Sequence, residues 1–118
     1  MKVTHLYTGE DNETHFKEID YELFDNGMIG WLSNKIKVSE LIFRETDGNY
    51  NYDFHPAPQK QFIVLLDGEI EIENGVGEKR RFKAGDILLV EDVTGRGHKT
   101  KSVDGKPRRS IFITIGHL

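Results

Sequence analysis

The chain contains no cysteine, which excludes a disulfide framework, a thiolate metal site and a cysteine nucleophile. Proline is scarce as well. Only three occur in 118 residues, and two of them, Pro56 and Pro58, fall in one short segment. No linker rich in proline, glycine or serine divides the chain, and no repeat or low-complexity tract is present, so one domain over residues 1–118 is expected. The longest strongly apolar run, Phe62 to Leu66, is too short to cross a bilayer. The opening Met1-Lys2-Val3-Thr4-His5 lacks the apolar stretch of a secretory signal. A cytoplasmic protein with no membrane partner is therefore expected. An excess of one charge is missing too: 16 basic side chains face 20 acidic ones, for a net charge of −4 spread along the chain. Without the basic stripe that a phosphate backbone requires, no nucleic-acid partner is expected. No window sustains a helical period with caps at its ends.

What remains is a succession of short β-like runs separated by turn residues. Hydrophobic content is 36% and charged residues make up 31%, which leaves most strands with one wet face. Val3 to Tyr7 reads as a first strand, stopped by Gly9-Glu10-Asp11-Asn12. Phe16, Ile19, Tyr21, Leu23 and Phe24 form a weaker, irregular segment. Lys37 to Thr46 reads as a strand that ends at Asp47-Gly48-Asn49. Gln61 to Leu66 is apolar on both faces, the pattern of a strand covered on two sides. Asp67-Gly68 is a hairpin signal, and Glu69-Ile70-Glu71-Ile72-Glu73 alternates strictly, isoleucines inward and glutamates to water. Turns at Asn74-Gly75-Val76-Gly77 and Ala84-Gly85-Asp86 bracket a run over Lys79 to Phe82. Ile87 to Val90 follows, then the glycine loop Thr94-Gly95-Arg96-Gly97 before His98. The last strand covers Ser110 to Ile115. Many short strands at regular spacing predict an all-β sandwich or barrel.

The stretch His55-Pro-Ala-Pro-Gln-Lys-Gln61-Phe-Ile-Val-Leu-Leu-Asp-Gly68 resembles the first motif of the cupin superfamily. That motif runs from a glycine through His-x-His and a glutamate to a closing glycine. His55 matches the first histidine and Gly68 the closing glycine. Ala57 stands at the second histidine, Gln61 at the glutamate, and Gly48 lies one residue upstream of the expected opening glycine. Gly85-Asp86-Ile87-Leu88-Leu89-Val90 resembles the start of the second motif. His98 resembles its histidine, with two extra residues between and Glu91 in place of the usual proline. The resemblance, centred on residues about 48–103, implies a small single-domain antiparallel jelly-roll barrel with one pocket.

It also implies a site. Cupins with the complete motif hold a first-row metal with three histidines and a glutamate. Carried over by position, this chain offers His55, Gln61 and His98, and nothing at Ala57. Two neutral imidazoles and an amide oxygen suit iron, nickel, manganese or zinc, and three protein ligands leave positions open for water or substrate. Because Gln61 is uncharged, such a metal would keep its full positive charge. Arg44 is a candidate to hold a substrate carboxylate with its planar fork. Tyr52 and Asp53 precede His55, and in a regular strand Asp53 shares a face with it. Glu91 and Asp92 are candidate carboxylates near His98, and Ala57 would enlarge and dry the pocket.

His5, His15 and His117 read as surface residues, and Arg80-Arg81 and Arg108-Arg109 as solvated charge. Trp31 reads as the cap of one barrel mouth or as part of a dimer contact. Two functions fit these residues. One is a metal-dependent enzyme acting on a small polar or acidic molecule, with isomerase, lyase and dioxygenase chemistry all open and no catalytic residue assigned. The other is a non-catalytic pocket that binds or senses a small molecule without a tightly bound metal. The resemblance implies a homodimer under either.

Overall fold

Alternation and turn chemistry produce twelve short strands and one 3-10 turn in residues 1–116, the part of the chain described by a computed structural model. The strands are β1 (Lys2–Thr8), β2 (Thr14–Asp20), β3 (Phe24–Asp25), β4 (Trp31–Leu32), β5 (Leu41–Thr46) and β6 (Asn51–His55) in the first half. The second half supplies β7 (Gln61–Leu65), β8 (Glu69–Glu73), β9 (Lys79–Lys83), β10 (Ile87–Glu91), β11 (His98–Ser102) and β12 (Arg108–Thr114). A six-stranded sheet in the order β2-β1-β10-β7-β12-β5 faces a four-stranded sheet in the order β6-β11-β8-β9. Strands β3 and β4 form a separate small ladder. This is the expected jelly roll. Its ladders are antiparallel except β1 against β10, which runs parallel with Thr4 opposite Leu88.

The two-sided apolarity of β7 follows from its central position between β10 and β12. Leu65 joins the inner core with Leu6, Ile70, Ile72, Leu88 and Val90. Phe62 faces the other way and packs with Val3 and Leu89. Removing a large inner side chain would cost about 2–5 kcal/mol. In β8 the two isoleucines are buried, while Glu71 meets Arg81 at 3.6 Å and Lys101 at 3.5 Å on the outside.

Three expectations need correction. Asp67-Gly68 is not a hairpin turn: β7 belongs to the six-stranded sheet and β8 to the four-stranded one, so the chain changes sheets there. The turn chemistry is real and serves a corner. Gly68 has φ 73°, and a Cβ on it would sit 3.0 Å from the Cβ of Arg108. Asp67 accepts from the Nε of Arg109 at 2.7 Å, which ties the corner to β12. The strand expected over Lys37 to Thr46 enters its ladder only at Leu41. The segment read as irregular around Phe16 is the regular β2, paired with β1 from Thr14 to Asp20.

Candidate functional site

The end of β6 and the start of β11 bring His55 and His98 opposite each other, with ring centroids 4.9 Å apart. The loop before His98 must pass against the backbone of His55. Gly97 permits it, because a Cβ there would overlap the His55 carbonyl and its φ is 78°. Both rings, with Gln61 and Ala57, line one cavity of about 420 Å³ between the sheets. Ile63, Ile72, Leu88 and Phe112 give it apolar walls, and Arg44, Tyr50, Tyr52 and Thr100 add polar atoms.

Each imidazole is held through Nδ1. His55 donates to the backbone carbonyl of Asp53 at 2.8 Å, and His98 donates to Oδ2 of Asp92 at 2.5 Å. Asp92 is 0% exposed, and the same oxygen accepts from the hydroxyl of Thr14 at 2.8 Å. Its main chain also reaches the motif, since its carbonyl accepts from the amide of Ala57 at 2.9 Å. An acceptor on Nδ1 fixes the tautomer and leaves Nε2 with the lone pair. Burial pushes the His55 pKa down, and the hydrogen bond to the Asp53 carbonyl only partly opposes this. For His55, neutral imidazole is thus the form favoured near pH 7.

This donor set fits a divalent metal in its chemistry. Metal-bound histidines usually give the second ring nitrogen to a carboxylate or carbonyl, and both rings here have such an acceptor. Gln61 is 3% exposed, lines the same cavity and offers an amide oxygen. Among the described residues, no three His, Cys, Asp or Glu side chains form a metal-binding group, and Gln61 stands at the motif position that would supply a third donor.

The remaining candidates divide. Arg44 lines the cavity, its guanidinium 5.0 Å from the ring centroids of both Tyr50 and Phe112. Tyr52 also lines it and lies 3.8 Å from the His55 ring. Asp53 does not. The ladder between β6 and β11 steps from His55–His98 to Tyr52–Thr100, so β6 carries one extra residue there. That bulge puts Tyr52 and His55, three apart, on the same face and turns Asp53 out. The Asp53 carboxylate bonds the amide of Phe54 instead. Glu91 is also outside the pocket. It follows the inward Val90 in β10 and alternates to the opposite face, where it meets His5 at 2.7 Å and Lys60 at 3.0 Å. Burial alone would raise the Glu91 pKa, but the bonds from Lys60 and His5 outweigh it and hold the carboxyl low. Of the two neighbouring carboxylates, Asp92 is the one that reaches His98.

Two residues read as solvated are buried. His5 is closed off beneath Glu91. Arg108 is 4% exposed, whereas its neighbour Arg109 does face water and binds Asp67. Alternation along β12 explains the difference, with Arg108, Ser110 and Phe112 on one face. Burial first, then repulsion from Arg44, lowers the Arg108 pKa. His15 is partly exposed and bonded to Asp11, and His117 lies outside the described residues. Arg81 is exposed, while Arg80 lies 5.1 Å over the ring of Phe16. Trp31 is exposed on the β3–β4 ladder and does not line the cavity. Tyr50 was missed by sequence reading, although its spacing from Tyr52 in Tyr50-Asn51-Tyr52 carried the strand signal.

No protein-family model matches the chain, and no curated protein matches it. Solved structures do. A DUF861 family protein from Thermotoga maritima is similar over 64% of this chain and 80% of its own, at 16% identity and a TM-score of 0.52. The Cnp3 cupin domain of Schizosaccharomyces pombe aligns over 96% of this chain and 83% of its own, at 14% identity and a TM-score of 0.43. An ethanolamine utilization protein of Salmonella typhimurium aligns over 98% and 95%, at 14% identity and a TM-score of 0.41. With two facing sheets and the motif positions His55 and His98 on one pocket, the chain is a small cupin-fold domain. Among the described residues, no helix is long and apolar enough to cross a membrane.

Proposed function

We propose that the cavity binds a small polar or acidic molecule beside a divalent first-row metal held by His55, His98 and Gln61. The observation that carries this reading is the pair of imidazoles, each fixed through Nδ1 and lining one cavity. A bound metal would supply Lewis-acid chemistry toward an oxygen of the ligand. The chain's own part is to orient the rings through Asp92 and Asp53, to exclude water with the apolar walls, and to position the ligand beside Arg44 and Tyr52. Isomerase, lyase and dioxygenase chemistry all remain compatible, since a fold hosts many reactions.

A second reading, a metal-free pocket that binds or senses a small molecule, is favoured by one feature. Ala57, buried in the wall at the motif position of a histidine, contributes no donor. Elemental analysis of protein purified without chelators or a histidine tag separates the two. Near-stoichiometric metal, lost in His55→Ala and in His98→Ala, is the expected result. No metal in the native protein, even after incubation with iron, nickel, manganese and zinc, overturns the metal reading and leaves the binding pocket.

The same proposal includes a homodimer in the cytoplasm. The outer face of the six-stranded sheet supports pairing: Leu41 and Phe43 of β5 stand opposite Ile113 and Ile111 of β12, continuous with the outer cluster at Phe62. Phe43 is 78% exposed, and a second copy would cover it.

A further inference from the structure

Strand β12 carries to the interior a set of polar groups that the metal reading does not use. Against β5, Arg108 lies opposite Thr46 and Ser110 opposite Arg44. The Nε and Nη2 of Arg108, the hydroxyl of Ser110 and the hydroxyl of Thr46 are all buried without a hydrogen-bond partner. Arg44 and Arg108 converge on one aromatic ring, their guanidinium carbons 5.0 Å and 5.2 Å from the centroid of Tyr50. The ion pairs among the described residues include neither of these arginines.

A guanidinium taken out of water and left without an acceptor is strongly unfavourable, and a second cation beside it adds repulsion. Stacking on Tyr50 offsets only part of this. The chain has 20 acidic residues, yet none of those described pairs with Arg44 or Arg108. An anion from outside would supply what is missing. We propose that Arg44 and Arg108 form an anion site at the Tyr50 wall of the cavity, where Arg44 takes the carboxylate of a small organic acid directly and Arg108, which does not itself line the cavity, adds its charge from beside the same ring.

A carboxylate suits the site because its two coplanar oxygens match the planar donor fork of arginine. Arg44 and Tyr50 line the cavity together with His55 and His98, and the charge of Arg44 is felt at His55. The acid group would therefore rest against the six-stranded sheet, the carbon skeleton against Ile63 and Phe112, and the other end near the histidines of the four-stranded sheet. This deepens the reading of the cavity as a ligand pocket and rests on it, but does not rest on the metal.

Thermal melting of the full chain after chelator treatment tests the site without metal-mediated binding. The probes are pyruvate, succinate and benzoate, each beside its uncharged amide, with inorganic phosphate as a further arm. At least one carboxylate is expected to raise the melting temperature saturably while its amide does not. Its apparent affinity should fall about tenfold or more in Arg108→Met and in Arg44→Met, and be retained in His55→Ala. Without any probe, Arg108→Met should melt no lower than the native protein, since the charge it removes is unpaired. A marked loss of stability in Arg108→Met alone would overturn the site by showing that the arginine serves the fold. Equal stabilisation by acid and amide, stabilisation by phosphate alone, or no stabilisation by any carboxylate would overturn it as well. Metal found in the native protein alongside any of these would leave the metal reading standing without the acid site.

Discussion

Asp92 shows how one side chain can organise a pocket it does not line. It is fully buried, accepts from Thr14 and His98 through one oxygen, and its backbone carbonyl holds Ala57. Thr14 comes from β2, His98 from β11 and Ala57 from the loop after β6, so three distant parts of the chain meet at one carboxylate. Asp92 therefore sets the direction in which the free nitrogen of His98 points. Asp92→Asn keeps the shape but removes the charge that favours Nδ1–H on His98. Its affinity for a divalent metal should fall about tenfold to a hundredfold, the usual effect of losing such a partner. Titration calorimetry with zinc or nickel measures this, and circular dichroism confirms that the variant stays folded. Unchanged affinity would reduce Asp92 to a purely structural role. The carboxylate pair Glu91-Asp92 was visible in the sequence, but which member faces His98 depends on where β10 ends.

At the scale of elements, irregularities decide more than regular strands do. The bulge in β6 brings Tyr52 alongside His55, and the corner at Asp67-Gly68 carries the chain from one sheet to the other. That corner is closed by Asp67, whose pKa is lowered by the backbone amide of Arg109 first and by the Arg109 side chain second. A carboxyl with a depressed folded-state pKa contributes stability in full above its unfolded value, near 3.8, and loses it as pH falls through the lower folded-state value. Asp67→Asn should therefore melt below the native protein at pH 6, with the gap narrowing as the pH drops below that range. Melting curves at pH 6 and in the acid range check it; a gap that stays constant with pH would mean the carboxylate charge does not close the corner. Both groups are exposed, so the effect will be modest and weaker in high salt.

For the whole molecule, the six-stranded sheet is apolar on both faces, and only the inner one is covered by the second sheet. The outer cluster around Phe62 extends toward Leu41 and Phe43 at the sheet edge, where exposed apolar side chains invite pairing with another copy. Phe43→Lys places a charge at the edge of that surface without touching the pocket. The native protein is expected to sediment as a dimer and the variant as a monomer with an unchanged circular dichroism spectrum. A native monomer at micromolar concentration would exclude the dimer.

The sequence by itself determined the strands with strong local signals. Strict alternation in Glu69 to Glu73, two-sided apolarity in Gln61 to Leu66 and the turn at Asn74-Gly75-Val76-Gly77 each encode their structure within a few residues, because a strand period of two and turn backbone angles are local properties. The motif positions likewise led to His55, Gln61 and His98 as a group, and the structure brings all three to one cavity. Only the tertiary structure decided the rest. Whether Asp67-Gly68 turns a hairpin or a corner depends on which strands β7 and β8 find as partners. Whether Arg108 or Arg109 is buried depends on which face of β12 meets the second sheet, and a single-residue change of register would exchange them. Pairing partners and covered faces are set by contacts between residues far apart in the chain, and for that physical reason no short window of sequence contains them.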